Sequence, residues 1–229
     1  MSRKLVVAAL AALCVASLIG PAAADIVDPT QSYCTVTYNR TFGPGSQFVG
    51  QPYDYVTIAP DATGETFFNC NGINEPDGLA DVGIAVFLRN SSGTPLVGVP
   101  PQEIVLFNST MCICPGGNVS DAGTDANGRA IFTGTMAAGG CVTSLDVFAD
   151  GVYICTLASG GRNVKTNSPD YAQQGTSPCF SDAGDLAFFA TQLGKAAAGR
   201  ICSDFNELGV NVDASDLAFF ASFLGAACQ

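Results

Sequence analysis

Along the chain, apolar and polar positions first follow a period of two and later a period of three to four. Val82-Gly-Ile84-Ala-Val86-Phe-Leu88 alternates and stops at the turn Asn90-Ser-Ser-Gly93. Gly98-Val-Pro-Pro101 breaks the chain again before the short apolar stretch Glu103 to Phe107. Thr124-Asp-Ala-Asn-Gly128 precedes Arg129 to Phe132, and Gly139-Gly140 precedes Cys141 to Phe148. Asp150-Gly151 then turns the chain into Val152 to Leu157. Short β-type runs between Gly, Pro, Asn and Asp clusters predict strands joined by tight turns, stacked as a β-sandwich. Tyr33 to Tyr38 and Tyr53 to Ile58 add strands upstream. Near the C-terminus the period changes. Leu186, Phe189 and Leu193, and again Leu217, Phe220 and Leu224, stand at i, i+3 and i+7, which is one stripe of an α-helix.

The two helical stripes belong to a duplication. Asp182-Ala-Gly-Asp185-Leu-Ala-Phe-Phe-Ala190 returns as Asp213-Ala-Ser-Asp216-Leu-Ala-Phe-Phe-Ala221, changed only at Gly184/Ser215. Gly194 and Gly225 follow each unit, where a chain leaving a helix favours a left-handed residue. Asp182, Asp185, Asp213 and Asp216, with Ser181 and Ser215, crowd the helix starts, where free N–H groups and the helix dipole favour oxygen acceptors. Capping explains half of this pattern. The rest lies in Asp204-Phe-Asn206-Glu-Leu208-Gly209, where Asp204, Asn206 and Gly209 fit positions 1, 3 and 6 of an EF-hand-type calcium loop. Leu208 replaces an oxygen ligand, and Asp213 and Asp216 fall one residue late. The upstream copy, from Asp170 to Asp185, lacks the position-3 ligand and carries about three extra residues. Calcium is therefore expected in the second loop before the first.

On these residues, about 168 to 228 resemble the type I dockerin family, whose loop-helix repeats bind cohesin modules in calcium-dependent assemblies. The resemblance implies Asp204, Asn206, Asp213 and Asp216 as metal ligands, with Asp182 and Asp185 in the first copy. It also implies that Ala183, Gly184, Ala214 and Ser215, at the first helical turns, meet the partner. A plainer reading is that the helices only bury Phe188, Phe189, Phe219 and Phe220, against each other or against the preceding domain.

Upstream, the order of a Val/Ile-rich strand, Gly93-Thr-Pro-Leu-Val-Gly98, an apolar strand and Thr124 to Phe132 resembles bacterial immunoglobulin-like domains of surface and adhesion proteins. The expected fold class is mostly β: an immunoglobulin-like β-sandwich followed by a small α-helical EF-hand-like or dockerin-like module. Boundaries are placed at 1–24 (signal peptide), 25–160 (sandwich), 161–168 (linker) and 169–229 (repeats).

The signal reading rests on Arg3-Lys4, an apolar run to Ile19 and Ala22-Ala-Ala24 before Asp25, and it predicts a secreted or cell-surface chain cleaved near Ala24. No other apolar run is long enough to cross a bilayer. Removing residues 1–24 takes away two of the nine basic residues and none of the twenty acidic ones, which moves the net charge from −11 to −13. Without clustered Lys or Arg, nucleic acid is excluded as a partner. A divalent cation or a basic partner surface would balance the charge. Nine of the ten cysteines remain, and export makes disulfides the expectation. Candidate pairs lie within each region: Cys34 with Cys70, and Cys112 or Cys114 with Cys141 or Cys155. Cys179, Cys202 and Cys228 form an odd set in the repeats.

The chain has no histidine, so neither a Ser-His-Asp nor a Cys-His machine can be assembled. Lys165 and Lys195, the remaining lysines, sit in no catalytic motif. Asp121, Asp125 and Asn127 read as a polar hairpin loop in preference to a calcium site. The sequons at Asn39, Asn90, Asn108 and Asn118 matter only in a glycosylating host. The sequence therefore predicts no enzyme. It predicts a secreted attachment protein whose repeats bind calcium and dock to a cohesin-like or other extracellular protein, with cell-surface polysaccharide as a further partner. The alternative is a structural or adhesive surface protein whose repeats have lost calcium. A carboxylate glycan hydrolase is a distant third, since Trp is absent and the acids lie in turns.

Overall fold

The computed structural model describes residues 26–38, 41, 49–52, 54–65, 67, 82–171, 179–196, 202–205 and 211–229. The signal segment, Tyr53, Cys70, Gln173 to Gly175, Asn206, Leu208 and Gly209 lie outside the described residues.

The described chain is mostly β, with two short helices at its C-terminal end. One antiparallel sheet is ordered β1 (Tyr33–Tyr38), β3 (Val82–Phe87), β6 (Arg129–Phe132). A second is ordered β4 (Ile104–Phe107), β8 (Asp146–Ala149), β9 (Val152–Thr156). Ile84, Val86, Ala130 and Phe132 from the first sheet join Ile104, Leu106, Val147 and Ala149 from the second in one hydrophobic cluster. The alternation in β4, β6 and β8 is the expected one, with every second side chain directed into this cluster. β3 differs. As the middle strand it is buried along almost its whole length, and its alternation is between large residues and Gly83 or Ala85 instead of between apolar and polar.

The turns follow their sequence signatures. Asp150 and Gly151 both have positive φ (50° and 73°) and join β8 to β9 as a two-residue hairpin, with Ala149 opposite Val152. Gly128 has φ 70°, and a Cβ there would run into the Leu88 carbonyl oxygen, so glycine is required. The carboxylate of Asp125 accepts from the Asn127 and Arg129 N–H groups (2.8 and 3.0 Å). Asp121 accepts from Thr133 N (3.0 Å) and Gly134 N (3.3 Å). Both acids thus serve as turn and loop pins, in line with the hairpin-loop reading.

Residues 161–168, read from the sequence as a linker, are structured. Gly160 and Gly161 turn β10 (Ala158–Ser159) into β11 (Arg162–Asn163), and β12 (Lys165–Asn167) pairs in parallel with β2 (Tyr55–Thr57). From Thr166 to Tyr171 every residue is buried. This strap is held by Thr166 Oγ1 to Gly140 O (3.2 Å), Gly140 N to Asp170 O (2.7 Å) and Ser181 Oγ to Pro169 O (3.4 Å). Composition suggested a linker because Ser, Pro and Asn favour loops. Pairing with β2 supplies this segment's backbone with partners, so it crosses between the two regions under cover.

The cysteines pair otherwise than expected. Cys34 bonds Cys155, tying β1 of the first sheet to β9 of the second. Cys112–Cys179, Cys114–Cys228 and Cys141–Cys202 each cross from the β region to the repeats. Nearness in sequence misled the pairing, because β5 (Cys112–Ile113), paired with β7 (Ala138–Gly139), and the residues beside it lie against the C-terminal segment. In the chain-entropy picture, loops of 61 to 114 residues correspond to roughly 4 kcal/mol per crosslink, fewer when loops nest.

Candidate functional site: the repeated helix starts

α1 (Ala183–Ala190) and α2 (Ala214–Ala221) are eight residues each, too short to persist alone in water. Each opens on a capping box. Asp182 Oδ1 accepts from Gly184 N (2.6 Å) and Asp185 N (3.4 Å), and Asp185 Oδ2 accepts from Asp182 N (2.9 Å). In the second repeat Asp213 Oδ1 accepts from Ser215 N (2.7 Å) and Ser215 Oγ, while Asp216 Oδ2 accepts from Asp213 N (2.9 Å). Aspartate at the third helical position reaches back as glutamate does in the usual box.

The two units are related by a local two-fold. Ser181 N donates to Ala226 O (2.9 Å) and Gly225 N to Ser181 O (2.9 Å); their equivalents are Val212 N to Lys195 O (3.0 Å) and Gly194 N to Val212 O (2.8 Å). The bridges Phe180–Ala227 and Ala196–Asn211 complete the exchange, so the residues entering each helix pair with those leaving the other. Gly194 (φ 74°) and Gly225 (φ 91°) make these exits. Leu193 and Leu224 depart from the predicted stripe. The helices end at Ala190 and Ala221, so these leucines fall in the turns beyond and are 37% and 43% exposed.

Between the helices is an aromatic cluster. Phe189 and Phe220 are fully buried, with centroids 5.0 Å apart. Tyr171 packs on Phe188 (4.7 Å) and Phe220 (6.3 Å), and Phe205 packs on Phe219 (5.7 Å) and Phe189 (6.0 Å). Tyr171 and Phe205 are thus equivalents, each following an aspartate, Asp170 or Asp204. This confirms that the first loop is three residues longer. The repeated Asp-aromatic pair was the signal in the sequence that could have placed both rings in the core.

The predicted ligand residues at the helix starts meet in pairs. Asp182 lies with Asp185, and Asp213 with Asp216, in their boxes. Asp185 and Asp216 are fully buried and Asp204 nearly so. Asp185 also accepts from Tyr171 N through Oδ1 (3.0 Å), so both its oxygens receive backbone N–H groups, and the loop start is tied to the helix start by hydrogen bonds. Burial raises the Asp185 carboxyl above the ordinary carboxylate value. Asp213 is lowered, first by the Ser215 hydroxyl and then by the Ser215 N–H. Burial, reinforced by the Asp185 and Asp216 carboxylates, raises the Tyr171 phenol against the opposing bond with Ser203 (3.0 Å). Among the described residues, the one set of three Cys, Asp or Glu side chains close enough to share an ion is Cys114, Cys179 and Cys228, and their sulfurs are in disulfides. Of the predicted partner-facing positions, Ala183, Ala214 and Ser215 are exposed and Gly184 is half-buried.

Lys165 is engaged elsewhere. Its Nζ lies 3.0 Å from Asp54 Oδ2 and 4.7 Å from the Tyr55 ring centroid, and Arg162 Nε approaches the same carboxylate oxygen at 3.1 Å. The four disulfides are compatible with an extracellular protein. Among the described residues no helix is long and apolar enough to cross a membrane. No known protein family, curated protein or solved structure matches this chain.

Proposed function

We propose that this is an exported, non-catalytic structural attachment protein, in which an immunoglobulin-like β-sandwich carries a degenerate loop-helix repeat pair as a fixed part of its body. The supporting observation is the set of three disulfides that cross from the β region to the repeats. A module that docks through a metal-organised loop needs the metal to close that loop. Here covalent bonds fix the repeats to the β region, and in the first repeat the Asp185 hydrogen bonds tie the loop start to the helix start. The test compares thermal midpoints of the mature chain in excess calcium, in chelator and in thiol reductant. The expected result is one midpoint for calcium and chelator and a lower one for reductant. A chelator-induced fall would overturn the reading.

A second reading, dockerin-like docking through calcium, is favoured by the exposure of Ala183, Ala214 and Ser215 at the helix starts. Its ligands would be Asp204, Asn206, Asp213 and Asp216, and its partner a cohesin-like protein. Calorimetric titration of calcium into the whole mature chain tests it, with Asp216→Ala as the control. Heat at millimolar calcium or below that the variant abolishes would establish this reading in place of the first.

A further inference from the structure

The outward face of the second sheet carries an apolar strip that the core does not use. Ile104, Leu106, Val147 and Ala149 point inward, so Val105, Phe107 and Phe148 are directed outward, with Val105 opposite Phe148 in register. Phe107 is 39% exposed, and neighbouring Tyr153 is 47% exposed. Phe148 meets Phe107 edge-to-face at 5.7 Å and 89°, and meets Tyr153 at 5.7 Å and 73°. Tyr153 is anchored through its hydroxyl to Thr156 (3.0 Å), whose own hydroxyl donates to Asp146 (2.6 Å). At the end of the strip lies a groove of about 480 Å³ whose walls include Val105, Phe107 and Phe148; among the described residues its charged members are Glu103 and Asp150, with no Lys or Arg. The Asp150 N–H donates to the Glu103 carbonyl (2.9 Å), fixing the two acidic positions beside each other.

We propose that this groove docks a lysine- or arginine-bearing segment of a partner protein. Two observations select that occupant. The first is charge: both ionisable residues of the groove are acidic and the whole chain is at −11, so a cation is complementary and a second copy of this chain is repelled. The second is ring geometry. A neutral glycan chain stacks its sugar faces on rings that lie flat and roughly coplanar, whereas these rings stand nearly perpendicular to one another. Such an array offers a ring face beside carboxylates, which suits the alkyl stem and charged head of a basic side chain. The inference gives the attachment reading a binding face on the sheet. It does not depend on the repeats, so the calcium and reductant comparison can fail while the groove still binds.

The experiment uses the mature chain and a synthetic decapeptide of alternating lysine and leucine, followed by amide NMR shifts and calorimetry. A glutamate-leucine decapeptide and a soluble neutral β-glucan serve as comparison ligands. The expected result is binding of the lysine peptide alone, with shifts concentrated in β4 and the β8–β9 turn. Phe107→Ala, which alters no charge and removes a partly exposed ring, is expected to weaken binding at least tenfold. Glu103→Gln with Asp150→Asn, at exposed positions, is expected to do the same. Unchanged affinity in Phe107→Ala would show diffuse attraction to an acidic surface and overturn the proposal. Shifts with the glucan in place of the peptide, or self-association through this face, would also overturn it.

Discussion

Among the described residues the β region closes around 22 buried apolar residues, nearly all aliphatic, while the helical pair has five, four of them aromatic. A small hydrophobic cluster buries too little surface to offset the entropy of ordering its chain, and small units of this kind rely on staples. The helical pair fits that account. It has three disulfides to its neighbour, a buried strap leading into it and capping boxes at both helices, whereas the two large sheets share one disulfide between them. One region is held chiefly by its core and the other by its attachments.

The largest expected effect breaks those attachments. Replacing Cys112, Cys114, Cys141, Cys179, Cys202 and Cys228 by serine removes the three crossing bonds, each contributing about 2–4 kcal/mol. Hydrogen exchange of α1 and α2 should then approach that of unfolded chain, while β3 and β8 stay protected. Equal loss in both regions would show that the pair and the sheets form one cooperative unit. Phe220→Ala, which empties the centre of the aromatic cluster, should cost about 3–5 kcal/mol in the helical pair, read from exchange protection, with the β region little changed. Gly128→Ala provides the reverse test. Its positive φ and the Leu88 carbonyl should cost the β region about 2 kcal/mol in denaturant melts while leaving the helices intact.

The smallest effect separates, by pH, a buried carboxyl at the third helical position from an exposed one at an N-cap. Because burial raises the Asp185 carboxyl, its contribution to stability is complete below the unfolded-chain value and lost as pH rises through the folded one. Asp213 behaves oppositely, contributing above its unfolded value and losing that contribution as pH falls through its lowered folded value. Carboxyl-carbon NMR titration should find Asp185 above the ordinary carboxylate range and Asp213 below it. Coincident titrations would mean that Asp185 is hydrated and its burial unimportant.

Much of this was legible before any fold was known. The Asp150-Gly151 hairpin, the turn at Gly128, the helix starts at Asp182 and Asp213 and the glycine exits are set by local backbone chemistry, which residue type reveals directly. The predicted ligand positions Asp182, Asp185, Asp213 and Asp216 were likewise visible as helix-start acceptors, and there the structure places them as caps. What stayed hidden depends on residues far apart along the chain. Proximity in sequence suggested Cys34 with Cys70, whereas Cys34 meets Cys155, 121 residues away. The stripe through Leu193 and Leu224 failed because the helices stop three residues earlier, and the residues leaving each helix turn to pair with the other repeat.

By itself the sequence determined the mostly-β character, the two-fold repetition and the capped helix starts, since each follows from periodicity or from one residue's own conformational preference. Only the tertiary structure decided that residues 161–168 are paired strands leading into a buried strap, Thr166 to Tyr171, and that the repeats are bonded to the β region. It also decided that Phe107, Phe148 and Tyr153 gather on an outward face. Those outcomes depend on which distant segments meet, and local preferences carry no information about a partner a hundred residues away.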